Sequence, residues 1–392
     1  MNDVAYPLGF SAAGTHAGIK KNGKPDVGLL VSNPPAKAFA AFTRNAAAAA
    51  PVRQGREVIA SGRPVSHVLV NSGNANAATG EKGYRDSLAS AARVASAANA
   101  VGAVLVSSTG VIGEPLPMAA LERGIDTLAG GKGEALFHQA IMTTDTFPKT
   151  AEVSLTLAGR EVRLGGASKG AGMICPNMAT MLAYITTDIG LPPSYDARFL
   201  DMVERSFNSI SVDGDMSTND TAILLANGAS GVAYEALEAS DCTAFDEALA
   251  GLMGDLARAI VRDGEGATKL ITVEVVGAMS EEDAKAIGRA VSNSPLVKTA
   301  FFGGDANWGR VMAAAGYSGA TLVMEKLALE FCGVRVFENG LPLPVNEDDM
   351  AERMKAKEVT VRLDLGVGSA AWTYWTCDFS YDYVKINGSY RS

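Results

Sequence analysis

The sequence predicts a layered α/β or α+β body made of mixed sheets flanked by helices. Three observations point there. Short apolar, β-branched runs alternate with amphipathic helical segments along the whole chain. The strand-like runs outnumber what one doubly wound sheet needs, and the helices come in blocks. The composition is that of a folded protein, 47% hydrophobic and 20% charged over 392 residues. That length suits two domains or one large layered domain, and the composition is far from the polar, highly charged mix of disorder.

Val68-Leu69-Val70 and Ala103-Val104-Leu105-Val106 are apolar runs closed by polar turns, as strands buried on both faces should be. Between them, Tyr84 to Ala100 sets Leu88, Ala91, Val94, Ala95 and Ala98 at helical spacing. Glu152 to Leu157 alternates, and Met181 to Ile185 is another strand-like run. From about Ala244 to Arg262, Phe245, Leu249, Leu252, Met253, Leu256, Ile260 and Val261 form a continuous apolar stripe on a long helix. Ser280, with Asp283 three residues on, marks a capped helix start whose buried face is Ala284, Ile287 and Val291. Val359 to Leu365 and Trp372 to Phe379 alternate as two strands, expected to pair antiparallel around Gly366-Val367-Gly368.

A net charge of −9 argues against a polyanion partner, because binding nucleic acid or an anionic membrane draws on clustered Lys and Arg. The longest basic cluster, Lys20-Lys21-Asn22-Gly23-Lys24, reads as a solvated loop. The N-terminus has no basic stretch followed by an apolar one, and no run approaches the ~18–20 apolar residues of a membrane span. Four cysteines without CxxC spacing and three scattered histidines give neither a metal site nor a disulfide framework. The expected protein is cytoplasmic, reduced and metal-free.

Generic nucleotide motifs fail: Gly170-Ala171-Gly172 is followed three positions later by Cys175, and Gly130-Gly131-Lys132-Gly133 lacks the rest of a phosphate loop. The most informative segment runs from Lys169 to Leu182, KGAGMICPNMATML. Its glycines permit unusual backbone conformations, and Pro176 biases Cys175 toward extended geometry. Taken from the residues alone, it is either a glycine-rich turn entering a buried strand or the setting of a threonine nucleophile. In the second reading Thr180 is activated by its own α-amine, whose ordinary pKa of about 7.7–8.0 suits a general base. That requires a cut before Thr180, by attack of its hydroxyl on the Ala179 carbonyl and hydrolysis of the resulting ester.

The segment resembles the signature of the ornithine acetyltransferase (glutamate N-acetyltransferase) family, whose members cleave themselves before the Thr of a MATML core. Eight further blocks resemble the family in order: Asn71 to Ala77, Ser108 to Gly113, Thr143 to Thr146, Asp215 to Asp220, Asp263 to Lys269, Asn293 to Thr299, Asn307 to Arg310 and Tyr383 to Asn387. The resemblance implies an N-terminal-nucleophile-like acetyltransferase fold, a cut between Ala179 and Thr180, and an α part (1–179) and β part (180–392) that assemble as a heterotetramer of two of each. It implies Thr180 as nucleophile and Thr109 with Gly110 as oxyanion hole. Substrate binding falls to Thr143, Lys169, Thr180, Glu265, Asn387 and the terminal Ser392. The implied reaction moves acetyl from N2-acetylornithine to glutamate by double displacement, in arginine biosynthesis, with no metal or organic cofactor. Some members also accept acetyl-CoA as a co-substrate, which no residue here decides.

Without the resemblance, Ser108-Thr109-Gly110 would be a plain turn after a strand, and Lys169 and Glu265 solvated loop charges. Ser392 stands where the family usually has Thr, Ala171 where Ser is common and Met216 where Thr is common. Cys175, close to the expected cut, is read as a bystander. Two rivals stay open: a related N-terminal-nucleophile amidohydrolase or aminopeptidase, and an unprocessed, non-catalytic scaffold.

Overall fold

In a computed structural model of the chain, residues 3–175 and 181–388 are described. The elements run β1 (Phe10–Thr15), β2 (Val27–Phe42), α1 (Ala50–Ala60), β3 (Val65–Asn74), α2 (Gly80–Ala97), β4 (Ala103–Val111), α3 (Met118–Ala129), α4 (Phe137–Ala140), β5 (Lys149–Leu157), β6 (Arg160–Lys169), β7 (Leu182–Thr187) and α5 (Asp196–Arg205). They continue with β8 (Ile210–Ser211), β9 (Thr221–Ala226), α6 (Ala239–Arg262), β10 (Leu270–Ala278), α7 (Glu281–Asn293), α8 (Pro295–Phe302), α9 (Trp308–Gly316), β11 (Ala328–Phe331), β12 (Val334–Glu338), β13 (Leu341–Pro342), α10 (Glu347–Met354), β14 (Glu358–Asp364), β15 (Ala370–Cys377) and α11 (Tyr381–Gly388). Two compact units result. The first holds residues 1–170, 177–208 and 216–260; the second holds 171–176, 209–215 and 261–392.

In the first unit, eight strands form one mixed sheet in the order β4-β3-β2-β9-β7-β6-β5, with β1 paired to β2. Pairs β3–β4 and β7–β9 are parallel and the rest antiparallel. Strand periodicity explains why the apolar runs are unbroken. Leu29, Leu69, Val104 and Val106 join one buried cluster with Val94, Leu121, Ile125 and Leu128 of α2 and α3. Their strand neighbours Leu30, Val68, Val70 and Leu105 join a second cluster with Phe137, Tyr184 and Ile223. Side chains that alternate between two buried faces leave these apolar stretches no solvent-facing position.

The long helix starts at Ala239, about five residues before the apolar stripe, and buries every stripe residue named above. It lies against β6 at a glycine: a Cβ on Gly166 would come 2.8 Å from Leu256 Cδ1 and 2.9 Å from Leu252 Cδ2. Helix α2 corrects two expectations. It spans Gly80–Ala97 rather than Tyr84 to Ala100, and Leu88 is exposed while Gly83, Ser87, Ser90 and Val94 are buried. The reason is close approach, since a Cβ at Gly83 would stand 2.4 Å from the Asn76 side-chain oxygen. Small polar residues thus take the inner face.

The second unit carries a seven-stranded sheet in the order β13-β12-β11-β14-β10-β15-β8. Ser280 caps α7 by accepting from the Asp283 N–H at 3.1 Å, and Ala284, Ile287 and Val291 pack on the sheet, as the sequence predicts. Strands β14 and β15 are both present but do not pair. β10 lies between them, parallel to β14 and antiparallel to β15. The glycine link Gly366 to Gly368 therefore spans a strand instead of closing a hairpin, and it bonds back to the Gly277 carbonyl through the N–H groups of Val367 and Gly368, each at 2.9 Å.

All four cysteines are free thiols. No helix among the described residues is long and apolar enough to cross a membrane.

The α6–β6 contact makes Gly166 a sensitive position for the strand that ends at Lys169. Gly166→Val should cost about 1–3 kcal/mol through overpacking against Leu252 and Leu256. Gly166→Ala should cost less, because the tips of two leucines can rotate away. Thermal unfolding of the two variants measures the difference.

Candidate active site

In the first unit the site begins where β3 and β4 run side by side. Gly73 pairs with Gly110 in register, and Gly110 has φ +133°. A Cβ there would stand 2.4 Å from the Gly73 carbonyl carbon and 2.6 Å from the Asn74 nitrogen, so only glycine fits. Thr109 precedes it within β4 rather than in a loop, and is buried.

An amide network fixes this corner. Asn71 accepts from the Ser108 hydroxyl at 2.6 Å and donates to the Asn74 carbonyl at 2.8 Å. Asn219 donates to the carbonyls of Ala75 at 2.7 Å and Ser108 at 2.9 Å, and Asn74 accepts from the Asn76 N–H at 2.8 Å. Sequence reasoning gave these asparagines no role. Their signal was membership of the blocks Asn71 to Ala77 and Asp215 to Asp220, and their work is to satisfy buried backbone groups next to Thr109.

Lys169 ends β6 and is 2% exposed, unlike the solvated charge that the residues alone suggest without the resemblance. Its ammonium donates to Thr109 Oγ1 at 3.2 Å. With that oxygen accepting from a cation, the hydroxyl proton of Thr109 is left for an acceptor in the site. Asp145, unassigned from the sequence, balances the charge: its carboxylate accepts from Lys149 Nζ at 2.6 Å, the Gly170 N–H at 2.7 Å and the Thr143 N–H at 2.8 Å. Burial alone would raise its pKa, but Lys169, Lys149 and the Gly170 N–H outweigh burial and hold it below the usual range. Thr143 is thereby tied to the same carboxylate as the strand end that bears Lys169.

Ala179 and Thr180 lie outside the described residues. Beyond them, the Met181 N–H donates to Asp220 Oδ1 at 3.1 Å, and Leu182 pairs with Lys169 and with Thr221. The other Asp220 oxygen is buried with no hydrogen-bond partner among the described residues. Burial pushes this carboxyl well above the ordinary range, against the opposing pull of the Met181 N–H, the Thr43 hydroxyl and Lys169.

In the second unit, Glu265 follows α6 and is also buried, where the residues without the resemblance suggest a solvated charge. Its carboxylate accepts from the Asn387 amide at 2.9 Å, and its own N–H donates to the Ala171 carbonyl at 2.7 Å. A Cβ at Gly172 would stand 2.4 Å from that carboxylate, so the second glycine of Lys169-Gly170-Ala171-Gly172 makes room for an acid. Asp213 holds the next residues, accepting from the N–H groups of Met173 at 2.6 Å and Ile174 at 2.8 Å, with Met173 at φ +57°. Burial pushes the Cys175 thiol up to about 11, which supports the bystander reading, since a thiol at that value holds almost no thiolate near neutral pH. Ser392 lies outside the described residues.

The described part of the site thus falls into two groups: Thr109, Gly110, Thr143 and Lys169 with Asp145, and Glu265 with Asn387. No cluster of three or more metal-ligating side chains occurs among the described residues. The profile of the ArgJ family matches residues 11–392. The arginine biosynthesis bifunctional protein ArgJ of Nitratidesulfovibrio vulgaris is 46% identical over 395 residues, 99% of this chain and 100% of its own. That of Geobacter sulfurreducens is 47% identical over 393 residues, 98% of this chain and 99% of its own. The crystal structure of the Bacillus halodurans ArgJ aligns with a TM-score of 0.50 at 36% identity, over 52% of this chain and 97% of that chain. The motif blocks, the glycine and amide framework around Thr109 and the near-full-length matches to the family profile and the two relatives agree, and the chain belongs to the ArgJ family of arginine-biosynthesis acetyltransferases.

Proposed function

We propose that this chain is a self-processing glutamate N-acetyltransferase that takes its acetyl group from N2-acetylornithine through an acetyl-Thr180 intermediate. The observation that carries the reading is the Lys169–Thr109 hydrogen bond beside Gly110. It supplies a hydroxyl proton and a glycine N–H at a buried corner where a tetrahedral oxyanion can be received.

Processing would begin with attack of Thr180 Oγ on the Ala179 carbonyl. The peptide C–N bond breaks, an ester replaces it, and water hydrolyses the ester to an Ala179 carboxylate and a free Thr180 α-amine. That amine then takes the Thr180 hydroxyl proton as Oγ attacks the acetyl carbonyl of N2-acetylornithine. Thr109 and Gly110 receive the oxyanion, the C–N bond breaks, and ornithine leaves with the proton. Glutamate's amine attacks acetyl-Thr180 in the reverse sequence, giving N-acetylglutamate and the free nucleophile. No step requires a metal or organic cofactor. The relatives are named bifunctional, and glutamate with acetyl-CoA as sole donor is the assay for a second activity here.

The α part (1–179) and β part (180–392) would remain one body and assemble two by two. Support comes from β6, before the cut, pairing with β7, after it, through six residue pairs from Leu164–Thr187 to Lys169–Leu182. Asp145, Lys149 and Lys169 form a charge cluster in the α part, Asp220 lies in the β part, and Glu265 with Asn387 offers an acid and an amide to a ligand's amine.

Three outcomes test this reading. Thr180→Ala should remain a single 40.6 kDa band on a denaturing gel and transfer nothing, whereas Thr180→Ser should process and transfer slowly. Wild-type protein mixed with N2-acetylornithine alone should release one equivalent of ornithine and gain one acetyl group on Thr180 by mass spectrometry. Continuous release without glutamate would instead identify a hydrolase. Thr109→Val, which keeps the shape and removes the hydroxyl, should lower kcat by roughly 100- to 1,000-fold in both half-reactions with little change in KM.

A further inference from the structure

The cluster Lys20-Lys21-Asn22-Gly23-Lys24 reads from the sequence as a solvated loop, and Lys20 departs from that reading. Its side chain is half-buried, and its stem crosses β3: a Cβ on Gly73 would stand 3.1 Å from Lys20 Cγ. This is the glycine that faces Gly110. The Lys20 ammonium donates to the Pro25 carbonyl at 2.8 Å and forms no ion pair among the described residues. The nearest acid on its own segment, Asp26, is committed to the backbone N–H groups of Ala17, Gly18, Ile19 and Lys20 at 2.6–3.1 Å and faces His16 at 3.4 Å. Lys20 therefore borders, without a carboxylate of its own, a cavity of about 260 Å³ that Gln139, Met142, Thr143 and Asp145 also line.

We propose that Lys20 is the residue that selects the acyl acceptor: it receives the side-chain carboxylate of glutamate and is dispensable when N2-acetylornithine occupies the site. The proposal rests on the acetyl-transfer reading above. In that reading the two substrates share an α-carboxylate and differ in the sign of the side-chain end, anionic in glutamate and cationic in acetylornithine. A fixed positive charge would favour one and repel the other. Lys20 avoids this conflict. Burial pushes its amine down to about 8, Asp26 and Asp145 pull it up, and Lys169 and Lys24 push it further down. His16 beside Asp26 and Lys149 beside Asp145 are the further titratable neighbours. The amine is therefore easier to deprotonate than an ordinary lysine, so it can lose its proton for a cationic side chain and keep it for an anionic one.

In a double displacement, kcat/KM for each substrate reports its own half-reaction, so the two can be measured separately. Lys20→Met should lower kcat/KM for glutamate by roughly 10- to 100-fold near pH 6.5, the loss expected on removing a hydrogen bond to a charged group. It should leave the value for N2-acetylornithine within about twofold. The wild-type to Lys20→Met ratio for glutamate should approach one as pH rises past about 8, because the wild-type amine is then neutral. Taking this ratio cancels the titrations of glutamate and of Thr180, which both enzymes share. Lys20→Arg, charged at every pH, should retain glutamate and lose roughly 10-fold on N2-acetylornithine. Equal loss in both half-reactions for Lys20→Met, loss in neither, or a ratio independent of pH would overturn the assignment. If wild-type protein forms no acetyl-Thr180 from N2-acetylornithine alone, the transfer reading itself falls, and that result is obtained without any Lys20 variant.

Discussion

The charge balance around Asp145 is the constraint on which the rest of the first unit's site depends. A lysine ammonium taken out of water is costly unless compensated, and Lys149 and Lys169 are both buried. Asp145 answers them with one carboxylate and uses its remaining acceptor capacity on the N–H groups of Thr143 and Gly170. The interaction therefore does more than neutralise. It joins the segment bearing Thr143 to the end of β6, and so sets where the Lys169 ammonium can reach. Another buried acid of the same unit, Asp220, is driven by burial toward its neutral form. Among these named groups, the ammonium groups of Lys149 and Lys169 face the one carboxylate, Asp145, whose charged form the surroundings favour. Such an environment favours an oxyanion in a transition state and a carboxylate on a substrate.

The motif blocks have a second common cause, which is steric. Gly110 is glycine because the backbone of β3 occupies the space of its Cβ, and Gly172 because the Glu265 carboxylate does. Both positions bring a chemically useful group against a bare backbone. The amides of Asn71, Asn74 and Asn219 then satisfy the carbonyls and N–H groups that such irregular backbone leaves unpaired. In the blocks around Thr109 and Gly110, much of the polar side chain capacity thus goes into fixing the backbone next to one threonine and one glycine.

What was legible in the sequence follows from these causes. The stripe from Phe245 to Val261 and the Ser280 cap are local signals, and both elements form where the pattern places them. Strand pairing is not local: β14 and β15 are recognisable as strands, but nothing within them shows that β10 inserts between. Leu88 looked like a core residue because hydrophobic spacing assumes that large apolar groups face inward. α2 instead approaches its neighbours through Gly83, Ser87 and Ser90. Lys20 reads as solvated, and without the resemblance Lys169 and Glu265 do too, because a lone charge in a glycine-rich stretch usually is. Burial of each depends on partners that lie far away in the chain: Gly73, Thr109 and Asn387 respectively. The resemblance supplied roles for Lys169 and Glu265, but none for Asp145 or Asp220, whose acidity is decided by their surroundings and not by their motif.

The proposed cut also bears on how the fold is partitioned. The compact units change over near residues 170, 176, 208, 215 and 260, not at 179. Each unit therefore contains residues from both sides of the Ala179–Thr180 bond. In the first, β6 and β7 are neighbours in the sheet although the bond lies between them in sequence. In the second, the Ala171–Ile174 stretch is bonded to Asp213 and Glu265, which come later in the chain. Neither product of the cut would own a complete sheet and core. A free Thr180 amine could then be created without releasing a fragment, because the strand ladders and the buried apolar clusters, and not the severed peptide bond, hold the two parts together.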